Sequence, residues 1–296
     1  MDPREVFKTG HKIMKKDRAV VFTVSNNLVF AVASVLMDLK HFSPSIADEI
    51  VIFHNGIQKK DQELLKNILL IPIRFINYSL PYKDSSFIPN TIIDYFTCMV
   101  FAKFECLRLL NEYKNILLLD YDIVIQKDIS ELFDKCKSGI KMMRGDFLVR
   151  QQLKHDIDDY DMEVQGTAAG TFVFQDHMGN YNEMYTFCYQ SLMKYANVLS
   201  LPEQAIFDFM IQDFQLNVET INIQTYSPHP TNIELATDAR IIHAYGQPKF
   251  WNGLYNKQWD DNYKNWLLMG GAGYKKDGKF KHLIRKFIRV LKHWIL

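Results

Sequence analysis
A chain of 296 residues that is 48% hydrophobic and 23% charged has ample material for a core and falls outside the disordered classes. Its formal net charge of +1 argues against nucleic acid as the principal partner. The average hides a division: residues 271–296 carry eight lysines and arginines against one aspartate, a net of +7, which leaves −6 for residues 1–270.

Residues 20–39 form a largely apolar stretch preceded by Lys15, Lys16 and Arg18, in the manner of a signal anchor. Ser25, Asn26 and Asn27 interrupt it, and three adjacent polar residues suit a turn between a strand at 19–24 and a helix at 28–40. Neither a membrane span nor export is therefore expected. A strand at 49–54, a polar helix at 59–69 and a strand at 71–76 follow. A loop with Ser79, Pro81, Ser85, Ser86 and Pro89 then leads to a long helix at 91–110 and a fourth strand at 116–119. Strands alternating with helices predict an α/β fold with a mostly parallel sheet covered on both faces. Beyond it the pattern predicts strands at 140–144, 171–175, 216–223 and 240–243, and a helix at 202–211. No repeat or linker divides the chain, so one domain over 1–270 and a basic tail over 271–296 are expected. Cys98, Cys106, Cys136 and Cys188 show no CxxC pair and no Cys/His metal spacing, and read as reduced thiols of a cytoplasmic protein.

Asp120 and Asp122 interrupt the apolar run of residues 116–125. Such a run is a buried central strand, and the carboxyl edge of such strands is where open α/β sheets bind ligands. Two carboxylates there are costly to desolvate unless a positive group compensates them, which a hard divalent cation does directly. The alternative is an Asx-type turn with both aspartates solvated. The first βα turn, residues 23–27, lacks a dinucleotide-binding glycine fingerprint. Its short polar side chains can read a base or ribose, or can cap the following helix. A second segment carries His243, then Gly246 and Lys249 at intervals of three. A neutral imidazole can complete a metal site begun by two carboxylates; glycine admits a phosphate close to the backbone, and lysine neutralises it.

The pair Leu119-Asp120-Tyr121-Asp122-Ile123-Val124 and His243-x-x-Gly246-x-x-Lys249-x-Trp251 resembles glycosyltransferase family 8 over roughly residues 19–255. These are retaining transferases of the GT-A fold, the Rossmann-like architecture of nucleotide-diphospho-sugar transferases, and include bacterial lipooligosaccharide galactosyl- and glucosyltransferases. The resemblance implies that Asp120, Asp122 and His243 hold Mn²⁺ or Mg²⁺. It further implies that Thr23, Ser25, Asn27, Tyr121, Ala169, Gly170, Gly246 and Lys249 surround a UDP-sugar. Gln204, Asp146 and Lys103 are the implied residues at the sugar and acceptor. The family's Asn-Ala-Gly is Ala168-Ala169-Gly170 here, its Asp-Gln-Asp is Glu203-Gln204-Ala205, an arginine is Lys103, the proline of Lys-Pro-Trp is Phe250, and an aspartate of the uridine turn is Ser25. The metal and diphosphate positions match while several sugar positions differ. Because an amide is a poor nucleophile, same-face attack, with the leaving phosphate as base, is expected instead of a covalent intermediate at Gln204.

In the tail, Phe280, Leu283, Ile284, Phe287, Val290, Leu291, Trp294 and Ile295 recur at helical spacing, with Lys281, Arg285, Arg289 and Lys292 largely elsewhere. A basic amphipathic helix of this kind suits an anionic membrane surface; packing against the acidic body is the alternative. The expected activity is therefore transfer of a hexose, galactose or glucose, to a lipid-linked glycan such as lipopolysaccharide. Its expected place is peripheral, on the inner face of the cytoplasmic membrane. Two rivals are a degenerate, membrane-docked nucleotide-sugar-binding protein and a haloacid-dehalogenase-type phosphohydrolase, whose DxD nucleophile motif also fits Asp120 and Asp122. The second expects that motif near a domain's start and leaves His243, Gly246 and Lys249 idle.

Overall fold
Strand β1 (Lys16–Val24) shows why the sequence must fold in layers: Ala19 and Val21 pack into one apolar cluster, and Val20, Phe22 and Val24 into another. Alternate side chains leave a strand on opposite faces, so a strand with apolar side chains on both faces has to be covered twice. The protein is seen here as a computed structural model that describes residues 14–275. After β1 come α1 (Val29–Phe42), β2 (Glu49–His54), α2 (Lys59–Lys66), β3 (Ile73–Asn77), α3 (Asn90–Phe96), a 3-10 helix (Cys98–Phe104), α4 (Glu105–Leu109) and β4 (Tyr113–Leu119). The second half supplies β5 (Ile123–Ile125), β6 (Ile140–Leu148), β7 (Gln165–Gln175), α5 (Tyr181–Tyr195), α6 (Pro202–Asp213), β8 (Glu219–Ile221), α7 (Ile223–Tyr226), α8 (Ile233–Asp238), β9 (Ile241–His243) and α9 (Lys257–Leu268).

The main sheet has the order β3-β2-β1-β4-β7-β6-β8, and β5 and β9 form a separate antiparallel pair. Strands β3, β2, β1 and β4 are parallel; β7 runs against both β4 and β6, and β8 lies parallel to β6. Six strands therefore point one way and β7 alone is reversed, the mostly parallel α/β sheet expected. From β1 the chain moves outward to β2 and β3 and then returns to place β4 on the other side of β1. This reversal of order opens a crevice at the carboxyl ends of β1 and β4. Residues 20–39 are a strand, a turn and a helix whose sides are buried in protein; among the described residues no helix is long and apolar enough to cross a membrane. The four cysteines are free thiols.

The structure corrects four elements. The expected helix over 91–110 breaks at Thr97, which adopts φ 59° and ψ 170°, and continues as the 3-10 helix before α4. Met99 to Phe104 are all buried, so this segment is clasped on every side and packing overrides its α-helical pattern. The strand expected over 216–223 contracts to β8, while those expected over 140–144 and 171–175 lengthen into β6 and β7, whose pairing shifts register near Met142. The basic tail from residue 276 lies outside the described residues.

One buried carboxylate knits the layers. Asp38 of α1 accepts the Ile125 N–H at 3.0 Å, and Gln258 Nε2 and Asn262 Nδ2 at 2.6 Å each, tying β5 and α9 to α1. Burial pushes its carboxyl from 3.8 up to about 7, against those three donors. Between these values the folded protein keeps a proton that the unfolded chain has released, so stability falls as pH rises through the window. His54 and His229, which burial pulls below the ordinary imidazole value, act in the opposite sense, so the comparison must be with a variant. From about pH 4.5 to about pH 7.5 the wild type is expected to lose several °C of melting temperature relative to Asp38→Asn. Parallel melting curves for the two proteins across that range would refute this account.

Candidate active site
Asp120 follows β4 directly at the crevice, and its N–H donates to the Gly170 carbonyl of β7 at 2.8 Å. Two residues on, Asp122 precedes β5, whose pairing with β9 sets Ile123 opposite His243. The Ala244 N–H donates to the Asp122 carbonyl at 2.9 Å and closes the turn. A short ribbon thus carries His243 across more than a hundred residues of sequence to the aspartates. Its Nε2 lies 3.2 Å from Asp122 Oδ1 and 3.9 Å from Asp120 Oδ2. Among the described residues, Asp120, Asp122 and His243 are the one group of metal-ligating side chains that converge, their ligand atoms lying within 4.8 Å of one another.

The surroundings fit a metal. Ser227 Oγ lies 3.0 Å from His243 Nδ1; with the Nδ1 proton donated to it, Nε2 is left with a lone pair toward the aspartates. At Gly170 a Cβ would come within 2.6 Å of His243 Cε1 and 3.1 Å of Asp120 Oδ2, so a side chain there would invade the cluster. Two carboxylates and one imidazole form a donor set for a divalent ion.

Two ammonium groups hold the aspartates. Lys249 Nζ pairs with Asp122 Oδ2 and donates to the Ala244 carbonyl at 2.8 Å. Burial would raise the Asp122 carboxyl, but the ammonium of Lys249 and, after it, the contact with His243 outweigh it and hold it far below the usual carboxylate range. Lys103, buried at the end of the 3-10 helix, sits 2.9 Å from Asp120 Oδ1, 3.2 Å from Glu203 Oε1 and 3.0 Å from the Ala169 carbonyl. Burial alone would lower its pKa; Asp120 and Glu203 together raise it. Glu203, in the first turn of α6, is itself raised, first by burial.

On the β1 side, Thr23 and Ser25 are buried at the crevice and Asn26 and Asn27 are exposed. The Asn26 N–H donates to Asn55 Oδ1 at 2.9 Å, and Ser25 Oγ lies 3.1 Å from Thr97 Oγ1. Tyr121 turns its ring toward Trp251, centroids 6.2 Å apart, and Trp251 packs edge-on to Phe30 of α1 at 5.6 Å. Gly246 takes φ 71°, with nothing within 4 Å of where a Cβ would stand, so its backbone faces open space.

Of the residues read from the sequence, Asp120, Asp122, His243, Lys249, Gly170, Ala169 and Lys103 converge. Gln204 is half-buried one position after Glu203, and Asp146 is exposed on β6; among the described residues neither bonds to the cluster. The glutamate beside Gln204 is the one joined to Lys103. Ser227 went unread, because nothing in Ser227-Pro228-His229-Pro230 marks it as the support of an imidazole sixteen residues on.

The sequence profile of glycosyl transferase family 8 matches residues 19–255. The chain belongs to this family. It is a retaining glycosyltransferase, which removes the phosphohydrolase alternative. Similar solved structures agree in fold. The galactosyltransferase LgtC, in complex with donor and acceptor sugar analogs, is 14% identical with a TM-score of 0.64, covering 89% of this chain and 99% of its own. The bifunctional glycosyltransferase WbbM, in its apo structure, is 12% identical with a TM-score of 0.64; the match covers 89% of this chain but about half, 53%, of WbbM. The glycosyltransferase GlyE of Streptococcus pneumoniae TIGR4 is 15% identical with a TM-score of 0.58, covering 89% of this chain and 66% of GlyE. No curated protein matches the transferase in sequence.

Proposed function
We propose that this transferase moves a hexose, galactose or glucose, from a UDP-sugar to a glycan acceptor carried on a lipid, such as lipopolysaccharide. The observation that carries the reading is the convergence of Asp120, Asp122 and His243 beside Lys249 at the crevice, in a chain of this family. An imidazole among the ligands favours Mn²⁺ over Mg²⁺, which prefers oxygen and water. Bound there, the ion supplies a positive charge that stabilises the departing diphosphate.

In this reading Thr23, Ser25 and Asn27 take the uridine, with Tyr121, Ala169 and Gly170 lining the way to the sugar. Gly246 lets the diphosphate approach the backbone, and Lys249 exchanges its bond to Asp122 for one to a phosphate oxygen. Lys103 fixes Asp120 and Glu203 at the sugar; Gln204 and Asp146 face sugar and acceptor. The acceptor hydroxyl attacks the anomeric carbon on the face the diphosphate leaves, and its proton passes to the leaving phosphate oxygen. Residues 271–296, with their net charge of +7, bring the enzyme to the anionic inner face of the cytoplasmic membrane.

A panel of UDP-sugars incubated with Mn²⁺ tests this proposal, because slow donor hydrolysis needs no acceptor. UDP release from UDP-galactose or UDP-glucose, abolished by chelation, is the expected result. A chain ending at residue 277 should hydrolyse equally well yet no longer sediment with anionic vesicles. Tight UDP binding without turnover of any UDP-sugar would favour the inactive nucleotide-sugar-binding protein. Absence of UDP binding under all conditions would sink both readings, and unchanged sedimentation of the shortened chain would sink the role of the tail.

A further inference from the structure
Thr97 holds a conformation that glycine alone enters without steric cost, φ 59° and ψ 170°. The other non-glycine residues with positive φ among those described are Asn180 and Gln215, neither branched at Cβ. Strain of this kind persists only where the surroundings over-determine it. Three bonds do so here. The Thr97 N–H donates to the Ile93 carbonyl at 3.0 Å, its Oγ1 accepts the Met99 N–H at 3.2 Å, and the same oxygen lies 3.1 Å from Ser25 Oγ.

The two ends of the segment that Thr97 begins meet different parts of the crevice. At its start is Ser25, in the turn after β1. Six residues on, at the far end of the buried 3-10 helix, Lys103 lies between Asp120 and Glu203. Strands β1 and β4 are neighbours with Val21 opposite Leu118, so the Ser25 turn and the aspartates stand side by side on one edge. The turn is also braced by Asn55, whose Oδ1 accepts the Asn26 N–H. Whichever hydroxyl donates in the Ser25–Thr97 bond, Ser25 keeps hydrogen-bonding capacity for a ligand and loses its free rotation. That ordering is then complete before binding and adds to affinity.

We infer that Thr97 is a positioning residue for the donor nucleotide: through the Ser25 hydroxyl it pre-orders the nucleoside end of the crevice, and its strained backbone keeps that end in register with Lys103 and the aspartates. The inference rests on the nucleotide-sugar reading of the β1 turn. Three variants separate its parts. Thr97→Val keeps the shape and removes the hydroxyl, Thr97→Ser keeps the hydroxyl, and Thr97→Gly removes both the hydroxyl and the strain. Calorimetry with UDP and Mn²⁺, together with kcat and KM for donor hydrolysis, provides the readout.

Thr97→Val and Thr97→Gly are expected to bind UDP about tenfold more weakly and to raise the donor KM by the same factor, with kcat little changed. Thr97→Ser should behave as wild type. Thr97→Gly should melt no lower than wild type, which separates its weakened binding from unfolding. Wild-type affinity in Thr97→Val or Thr97→Gly, or a Thr97→Ser variant as weak as Thr97→Val, overturns the inference while leaving the nucleotide-sugar reading in place. A wild-type enzyme that binds no UDP overturns both.

Discussion

Asp122→Ala is expected to abolish metal-dependent binding of UDP and to lower donor turnover about a thousandfold. The size follows from how many groups meet at that carboxylate. One oxygen faces His243 Nε2 at 3.2 Å and the other pairs with Lys249, so its loss removes a ligand and leaves an imidazole and an ammonium facing each other. Asp122→Asn is the informative companion, because it preserves shape while surrendering the negative charge. Calorimetry should show UDP heats that depend on Mn²⁺ in the wild type and are missing in both variants. Retention of Mn²⁺-dependent UDP binding in Asp122→Ala would show that the cluster does not hold the ion.

Lys103→Met carries the largest expected cost to the fold itself. The Lys103 ammonium is shared by Asp120, Glu203 and the Ala169 carbonyl, and it is buried. Removing one partner from a buried ionic cluster typically costs about 3–5 kcal/mol, because the charges left behind have no water to turn to. For a chain of this size that is roughly 10 °C of melting temperature. The sign with pH is also defined. Burial already raises the Glu203 carboxyl, and without Lys103 it rises further. The folded variant therefore holds a proton that the unfolded chain releases, and its deficit against wild type should grow as pH increases. Lys103→Arg restores the charge and should recover most of the loss. A Lys103→Met protein that melts with the wild type at neutral pH would mean that the aspartate and glutamate find other partners.

Much of the architecture was legible because it rests on local rules. A parallel strand covered on both faces writes itself as an unbroken apolar run, as 116–119 does, and polar residues ending such a run mark the crevice edge. The α/β fold followed from strands alternating with helices, and the family resemblance from Asp120, Asp122, His243, Gly246 and Lys249 in their order along the chain. What the sequence hides is pairing over distance. Nothing near residue 123 announces that it lies against residue 243, and nothing near Ser227 announces the imidazole it supports. The broken helix at Thr97 was hidden for another reason: residues 91–110 have no proline or glycine, and only burial of 99–104 on all sides together with the bond to Ser25 makes the kinked path preferable. Glu203 escaped emphasis because Gln204 occupies the better-known position, while the buried ion pair with Lys103 spans a hundred residues.

The single reversed strand bears on where this enzyme tolerates insertion. Because β7 runs against β4, the crevice wall at Gly170 is the middle of a hydrogen-bonded strand, in register with β4 up to Leu119 opposite Thr171. Insertion of one residue there would turn every following side chain to the opposite face and bring a Cβ against His243. The β1 side is bounded by turns, whose length can vary at little cost. A one-residue insertion in those turns is therefore expected to leave the fold standing, whereas the same insertion at Gly170 is expected to break it.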